Sequence, residues 1–342
     1  MRPLNITVVG ATGAVGSLFL KLLGDSTLPL ASVNVCASQS SVGKTVQFRG
    51  KTLKIQLADE LAFRDSDVAF ISVDASVSKE IAPLAIAQGA VVLDDSSAFR
   101  MNSDVPLVVP EVNAEDLNGI HKIIAIPNCV TVPLVMALHP LHKENPIKRV
   151  IVDTYQSVSG SGKKAMDGLI SETAAVLEDR LIDPLVYPHR IGFNVIPHVE
   201  NFLDNGYSHE ENKIIHETKK IMHSPEIYIS ATCVRVPVMI GHCESVHVQF
   251  NDPITPDRAR ELLESFQGIR VVDDLELLQY PTAVMASGSD DVLVGRIRQD
   301  ISVENGLVLW LAIDNLRKGA ATNALQIINC LVEKNLIGKE ST

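Results

Sequence analysis

Five short apolar runs punctuate the first 130 residues, at Ile6–Val9, Val33–Ala37, Val68–Ser72, Ala90–Asp94 and Lys122–Ile126. They are rich in β-branched residues and nearly continuous rather than alternating, so they read as strands buried on both faces. Between them, Val15–Leu23 and Ser76–Gln88 carry apolar residues at helical spacing, with Pro83 inside the second as a point of bending. Strands covered on both sides and separated by helices build a parallel sheet. This part of the chain is therefore expected to form a doubly wound α/β unit.

Beyond residue 145 the pattern changes. Arg149–Tyr155, Ile227–Val234, Glu244–Phe250, Val292–Gln299 and Leu307–Ile313 are Val-rich and alternate, while Ser161–Leu177, Glu210–Met222 and Pro256–Phe266 have helical spacing. Strands with few helices between them predict an antiparallel or mixed sheet with one face left for a partner. Gly319–Asn335 is again an amphipathic helix, placed to return to the first unit. A chain of 342 residues is too long for one hydrophobic core, which agrees with two domains.

Lys and Arg total 30 against 41 for Asp and Glu, a net charge of −11. Such a chain lacks the basic footprint of a nucleic-acid or anionic-membrane binder. No apolar run approaches the roughly 18 residues of a spanning helix. The N-terminus enters a strand pattern directly, without the pattern of a signal peptide. Five Cys, at 36, 129, 233, 243 and 330, are odd in number and scattered, unlike a disulfide framework. A soluble cytoplasmic enzyme with reduced thiols is expected.

The segment Val8-Val9-Gly10-Ala11-Thr12-Gly13-Ala14-Val15-Gly16 joins the first strand to the first helix. Its glycines permit a sharp turn and close approach of an anion, and the helix start offers unpaired N–H groups to a phosphate. The spacing is G-x-x-G-x-x-G, half a match to the generic dinucleotide fingerprint, and a tight turn without ligand is the plainer alternative. After the second strand comes Ala37-Ser38-Gln39-Ser40-Ser41, with no acidic residue for a ribose 2′-hydroxyl. That hydroxyl-rich loop, with Lys44, suits a 2′-phosphate.

Cys129 falls between a strand end and the helix running to His142, where a helix dipole stabilises a thiolate. A small buried Cys filling a corner is the competing reading. Most of the ten His look structural: His139 and His142 lie near a helix end, and His209, His216 and His223 form a solvated stripe. In His242-Cys243-Glu244-Ser245-Val246-His247, strand alternation sends His242 and Glu244 to one face and Cys243 and His247 to the other. Convergent metal ligands are not expected there. Arg235, at a strand end, and His242, after the Gly241 turn, can share a pocket as anion clamp and proton shuttle.

Taken together, these segments resemble the aspartate-semialdehyde dehydrogenase family, of the bacterial type, over nearly the whole chain. The resemblance rests on Gly10–Gly16, Asp95–Arg100, Pro127-Asn128-Cys129, Thr154–Gly160, Phe193–Pro197, Glu210–Lys213, Thr232–Glu244 and Asp314–Ala321. It implies a Rossmann-like NADP-binding domain of residues 1–128 and 315–342. It also implies an α+β catalytic and dimerisation domain of residues 129–314 with a mixed sheet. The implied reaction reduces aspartyl phosphate to aspartate semialdehyde with release of phosphate, in the biosynthesis of lysine, diaminopimelate, threonine and methionine.

By the same resemblance, Cys129 is the nucleophile that forms an acyl-thioester, Asn128 stands beside it, Gln156 holds the substrate and His242 is the acid/base. Arg235 grips the α-carboxylate, Glu210 engages the α-amino group, and Arg100, Lys213 and Asn128 bind phosphate. The cofactor contacts implied are Gly10, Thr12, Gly13, Ala14, Val15, Gly16, Ser38, Ser40, Ser41, Ser159 and Gly160, with Asn315 or Asn323 at the nicotinamide end. A homodimer is implied, and no metal.

The chain departs from the family pattern at three positions: Val130 for the usual Ser or Thr, Asp95 for Asn, and Ser40 for an Arg that holds the 2′-phosphate. The last keeps NAD open beside NADP. Two rival readings are an N-acetyl-γ-glutamyl-phosphate reductase-like enzyme and a non-catalytic dimeric relative.

Overall fold

The computed structural model describes residues 2–338. The chain divides into two compact units, residues 1–128 with 320–342, and residues 129–319.

In the first unit the strands are β1 (Leu4–Val9), β2 (Leu30–Cys36), β3 (Thr45–Phe48), β4 (Lys51–Lys54), β5 (Val68–Ile71), β6 (Val91–Asp94) and β7 (Ile123–Ala125). Five of them form a parallel sheet in the order β2-β1-β5-β6-β7. Its helices are α1 (Ala14–Asp25), α2 (Ala75–Ala87), α3 (Pro110–Asn113) and the C-terminal helix Thr322–Glu333. α2 runs through Pro83 without a break. On one side Phe19, Leu20 and Leu23 of α1 pack with Phe70, Leu93, Ile327, Ile328 and Leu331. On the other, Ala82 and Ala85 of α2 meet Phe63 and Ile71. The continuous apolar strands are thus covered twice, as the Rossmann-like expectation requires.

The β3–β4 hairpin escaped the sequence reading because its strands are only four residues long and mostly exposed. Arg49 and Gly50, both at positive φ, turn it.

The second unit contains α4 (Thr131–Glu144), β8 (Ile147–Gln156), α5 (Lys163–Leu177), α6 (His209–Ile221), β9 (Tyr228–Arg235), β10 (His242–Phe250), α7 (Pro256–Glu264), β11 (Ile269–Val271), α8 (Ala283–Ala286), β12 (Val292–Gln299) and β13 (Gly306–Ile313). Its six strands lie in the order β11-β12-β13-β10-β8-β9. β8 and β9 are parallel, as are β11 and β12, and the other pairs are antiparallel, so the sheet is mixed. β8 alternates: Val150, Val152, Thr154 and Gln156 are buried, whereas Tyr155 is exposed.

One boundary differs from expectation. The chain rejoins the first unit at Ala320 rather than at Asn315. Asn315 is tied into the second unit, its Oδ1 accepting from Ser157 Oγ, Ser159 Oγ and Gly241 N.

Candidate active site

Strand direction gathers the chemistry of the second unit. β8 ends at Gln156 and β9, parallel to it, ends alongside at Arg235. Antiparallel β10 begins there with His242, on the same face as Gln156 because its neighbour Cys243 pairs with Tyr155. Three polar side chains therefore emerge at one end of one sheet.

Each is then fixed by its neighbours. The Ser157 backbone N–H donates to His242 Nδ1 at 3.0 Å, and Ser157 Oγ lies at the same distance. An Nδ1 that accepts a backbone N–H cannot hold the ring proton, so the neutral imidazole carries it on Nε2. Nε2 is buried without a hydrogen-bond partner among the described residues. Burial first, and the Arg235 charge second, push the His242 pKa down to about 3. The ring is a neutral donor.

Arg235 is buried and its Nη1 donates to Ser157 O at 2.7 Å. A Cβ on Gly160 would lie 3.4 Å from both Arg235 Nη1 and His242 Nε2, so the glycine leaves room between cation and donor. Gln156 Oε1 accepts from Thr154 Oγ1 and its Nε2 donates to Glu210 Oε1, both at 2.9 Å. Glu210, in the first turn of α6, also accepts from Lys213 Nζ at 3.2 Å, and Lys213 reaches Glu200 at 2.5 Å. A capping box between Ser208 and Glu211 starts this helix, which places Glu210 beside Gln156.

Cys129 is half-buried while Asn128 and Val130 beside it are buried. It stands two residues before α4, whose N-cap residue Val130 supplies no side-chain bond. Cys36 and Cys243, by contrast, are buried, and burial pushes both thiols up to about 12. Gly319 abuts the cysteine: a Cβ there would lie 3.0 Å from Cys129 Cβ. Gly319 belongs to a π-helical turn, Arg317–Ala321, preceded by Asp314, whose Oδ1 accepts from the Leu316 and Arg317 amides. Such turns concentrate at functional sites. Val130, the departure from the family pattern, points into the core, fully buried.

In the first unit the Gly10 turn is built for close approach. Gly10 has φ +86°, and a Cβ there would meet Ser72 O at 2.1 Å; one on Gly16 would meet Gly10 O at 2.2 Å. Thr12 and Gly13 are exposed, and no side chain caps α1. Ser38 and Ser40 are exposed and bonded to each other, whereas Ser41 is buried. Arg100 Nη2 donates to Asp95 O at 3.0 Å. Burial pushes Asp95 up to about 7, against the pull of Arg100 and Ser72.

Two of the expected cofactor residues are packed into the fold. Asn323 is fully buried with its Nδ2 on Val108 O, a staple of the first unit's core. Ser159 is buried too, its hydroxyl bonded to Asn315 and Ser157, and Asn315 has spent its Oδ1, leaving Nδ2. Sequence reasoning gave no role to Ser157, Asp314 or Gly319. Asp314 carried a signal, an Asp before a helix start, but Ser157 acts through a partner 85 residues away. The histidines of the expected solvated stripe, His209, His216 and His223, are exposed. Among the described residues no group of three or more His, Cys, Asp or Glu is placed to hold a metal, and no helix is long and apolar enough to cross a membrane.

A glycine-rich strand-to-helix turn on a parallel sheet, followed by a unit that carries a cysteine, a buried histidine and a buried arginine, fits an oxidoreductase of the semialdehyde dehydrogenase class. Residues 5–120 match the semialdehyde dehydrogenase NAD binding domain and residues 138–318 its dimerisation domain. The aspartate-semialdehyde dehydrogenase of Aquifex aeolicus is 47% identical over 97% of this chain and 99% of its own. The crystal structure of aspartate semialdehyde dehydrogenase II from Vibrio cholerae, complexed with ASA, superposes with a TM-score of 0.94 at 42% identity, covering 97% of this chain and 99% of that one. The enzyme of Candida albicans, solved with NADP, gives 0.78 at 26% identity over 98% and 100%. The chain belongs to the aspartate-semialdehyde dehydrogenase family.

Proposed function

We propose that the chain catalyses the NADP-dependent reductive dephosphorylation of L-aspartyl 4-phosphate to L-aspartate 4-semialdehyde, and the reverse oxidation, through an acyl-thioester on Cys129. The observation that carries this reading is the fixed Nε2–H of His242 beside the Arg235 guanidinium. A neutral donor next to a cation suits an acyl group whose oxygen gathers negative charge and whose tail is a carboxylate.

Aspartyl phosphate has an α-carboxylate, an ammonium and a phosphate. Arg235 takes the carboxylate, Glu210 the ammonium, and Gln156 the chain between them. Arg100, Lys213 and Asn128 take the phosphate. The Cys129 thiolate, favoured by the start of α4, attacks the acyl carbon; the bond to the phosphate oxygen breaks and phosphate leaves. A nicotinamide cofactor, when held there, would supply the hydride that reduces the thioester. His242 Nε2–H donates to the acyl oxygen as charge gathers there, and the carbonyl re-forms as the Cys129 thiolate departs. With Nδ1 filled by Ser157, His242 serves as donor, a narrower role than proton shuttling in both directions.

Thr12, Gly13, Ala14 and Val15 would hold a dinucleotide's pyrophosphate, with Gly10 and Gly16 giving room for it, and Asn315 and Gly160 would serve the nicotinamide. Ser38, Ser40 and Lys44 favour a 2′-phosphate because no carboxylate follows β2. The reading carries with it a cytoplasmic homodimer acting in the biosynthesis of lysine, diaminopimelate, threonine and methionine.

The test is reduction of NADP, and separately of NAD, by aspartate semialdehyde in the presence of phosphate. Activity is expected to require phosphate and to favour NADP. Activity with N-acetylglutamate semialdehyde instead would establish the rival reductase. Cys129→Ser should keep its fold and lose at least about three orders of magnitude in kcat. Near-normal turnover in that variant would sink the thioester.

A further inference from the structure

Arg235 is positioned with unusual economy. Its backbone is pinned by paired hydrogen bonds with Ile196, N to O at 2.8 and 2.9 Å. Its Nη1 is tied to Ser157 O, and its buried Nε has no hydrogen-bond partner among the described residues. The unspent edge is therefore Nε–Nη2, the edge that matches the two oxygens of a carboxylate. A guanidinium held at one nitrogen can still swing about that bond. Against its face lies a ring.

The Arg235 guanidinium carbon lies 5.6 Å from the Tyr187 ring centroid, within cation–π range. Tyr187 comes from the segment after α5, and it alone among residues 183–190 is not exposed. Its hydroxyl meets Ser161 Oγ at 3.0 Å, and it packs against the buried cluster of Val158, Ala165, Leu169, Ile191 and Ile196. The segment is anchored on both sides of Tyr187 by one carboxylate. Glu172 of α5, 1% exposed, accepts from the amides of Leu185 at 3.1 Å, Ile191 at 2.7 Å and Gly192 at 3.3 Å. Gly192 lies so close to α5 that a Cβ would fall 2.9 Å from Thr173 N.

We propose that Tyr187 is a specificity-determining positioning residue, whose ring, delivered by the Glu172-anchored segment, fixes the plane of Arg235 so that its Nε–Nη2 edge meets the substrate's α-carboxylate. The ring also shields one face of the cation from water, which strengthens a charge-assisted pair formed at the edge. This rests on the reading of Arg235 as the carboxylate clamp.

The test compares aspartate semialdehyde with 3-aminopropanal, which lacks the α-carboxylate, in the phosphorylating oxidation. Tyr187→Leu, which keeps apolar bulk but no ring, should raise KM for aspartate semialdehyde about tenfold with kcat little changed, and leave 3-aminopropanal unaffected. Tyr187→Phe should behave as wild type. Adding Tyr187→Leu to Arg235→Lys should cost less than twofold more, because the plane to be fixed is gone. Equal losses on both substrates, or no loss in Tyr187→Leu, overturn the proposal, as does Tyr187→Phe matching Tyr187→Leu, which moves the effect to the Ser161 bond. If Arg235→Lys alone leaves the preference between substrates intact, the clamp reading fails and this proposal with it. A shrunken preference in Arg235→Lys without one in Tyr187→Leu overturns the role of Tyr187 alone.

Discussion

His242 and Glu244 stand two residues apart on one face of β10, and burial drives their proton affinities in opposite directions. Glu244 is 1% exposed, neither of its oxygens has a hydrogen-bond partner among the described residues, and burial holds its pKa well above the usual carboxylate range. The folded chain keeps that proton while the unfolded chain releases it above roughly pH 4.5, so Glu244 costs stability as pH rises. His242 behaves inversely. With its pKa near 3 in the fold, the unfolded chain gains a proton below roughly pH 6.5 that the folded one refuses, and stability falls with pH down to about 3. Urea midpoints measured from pH 4 to 9 should separate the two. Glu244→Gln should flatten the alkaline limb and His242→Gln the acid limb, each by up to about 1.4 kcal/mol per pH unit. Curves that stay parallel to wild type would mean that neither group is held in its buried charge state.

Among elements, the turn Arg317–Ala321 shows how much of the site was hidden in the sequence. Gly319 and Lys318 belong to an ordinary helical composition, and nothing in it marks a π-turn. The turn matters because Gly319 touches Cys129. Gly319→Ala would put a methyl 3.0 Å from the Cys129 Cβ, so the thiol must shift by a few tenths of an ångström. Alkylation of Cys129 by iodoacetamide and kcat should both fall, by about tenfold or more, with little change in unfolding temperature. Unaltered alkylation would show that the contact does not place the thiol. β5 was legible because every residue of that doubly covered strand is apolar, and the position of Cys129 just before a helix was legible from the apolar run that follows it. The β3–β4 hairpin was not, being exposed, and Ser157 was not, because its partners are set by the register of β8 on β10. Periodicity reports burial along one element. It does not report which two strand ends meet.

At the scale of the whole molecule, the six-stranded sheet poses the remaining question. On β8 and β10 the residues facing the helices are buried, while the alternate set, Ile151, Asp153, Tyr155, Ser245 and His247, is less covered. Tyr155 is 38% exposed, and its ring lies 5.3 Å from that of Trp310, which pairs with Ser245 across the strands. Aromatic rings on a regular, partly open sheet face suit a self-complementary two-fold contact. The protein is therefore expected to sediment at twice 37.1 kDa at micromolar concentration. Trp310 is the single tryptophan of the chain, so its fluorescence reports this face alone. Tyr155→Glu would set two charges into a two-fold contact, and should yield monomers with red-shifted emission. A dimer whose emission and mass ignore that substitution would have to use another surface, and a wild type of 37.1 kDa would leave the sheet face bare.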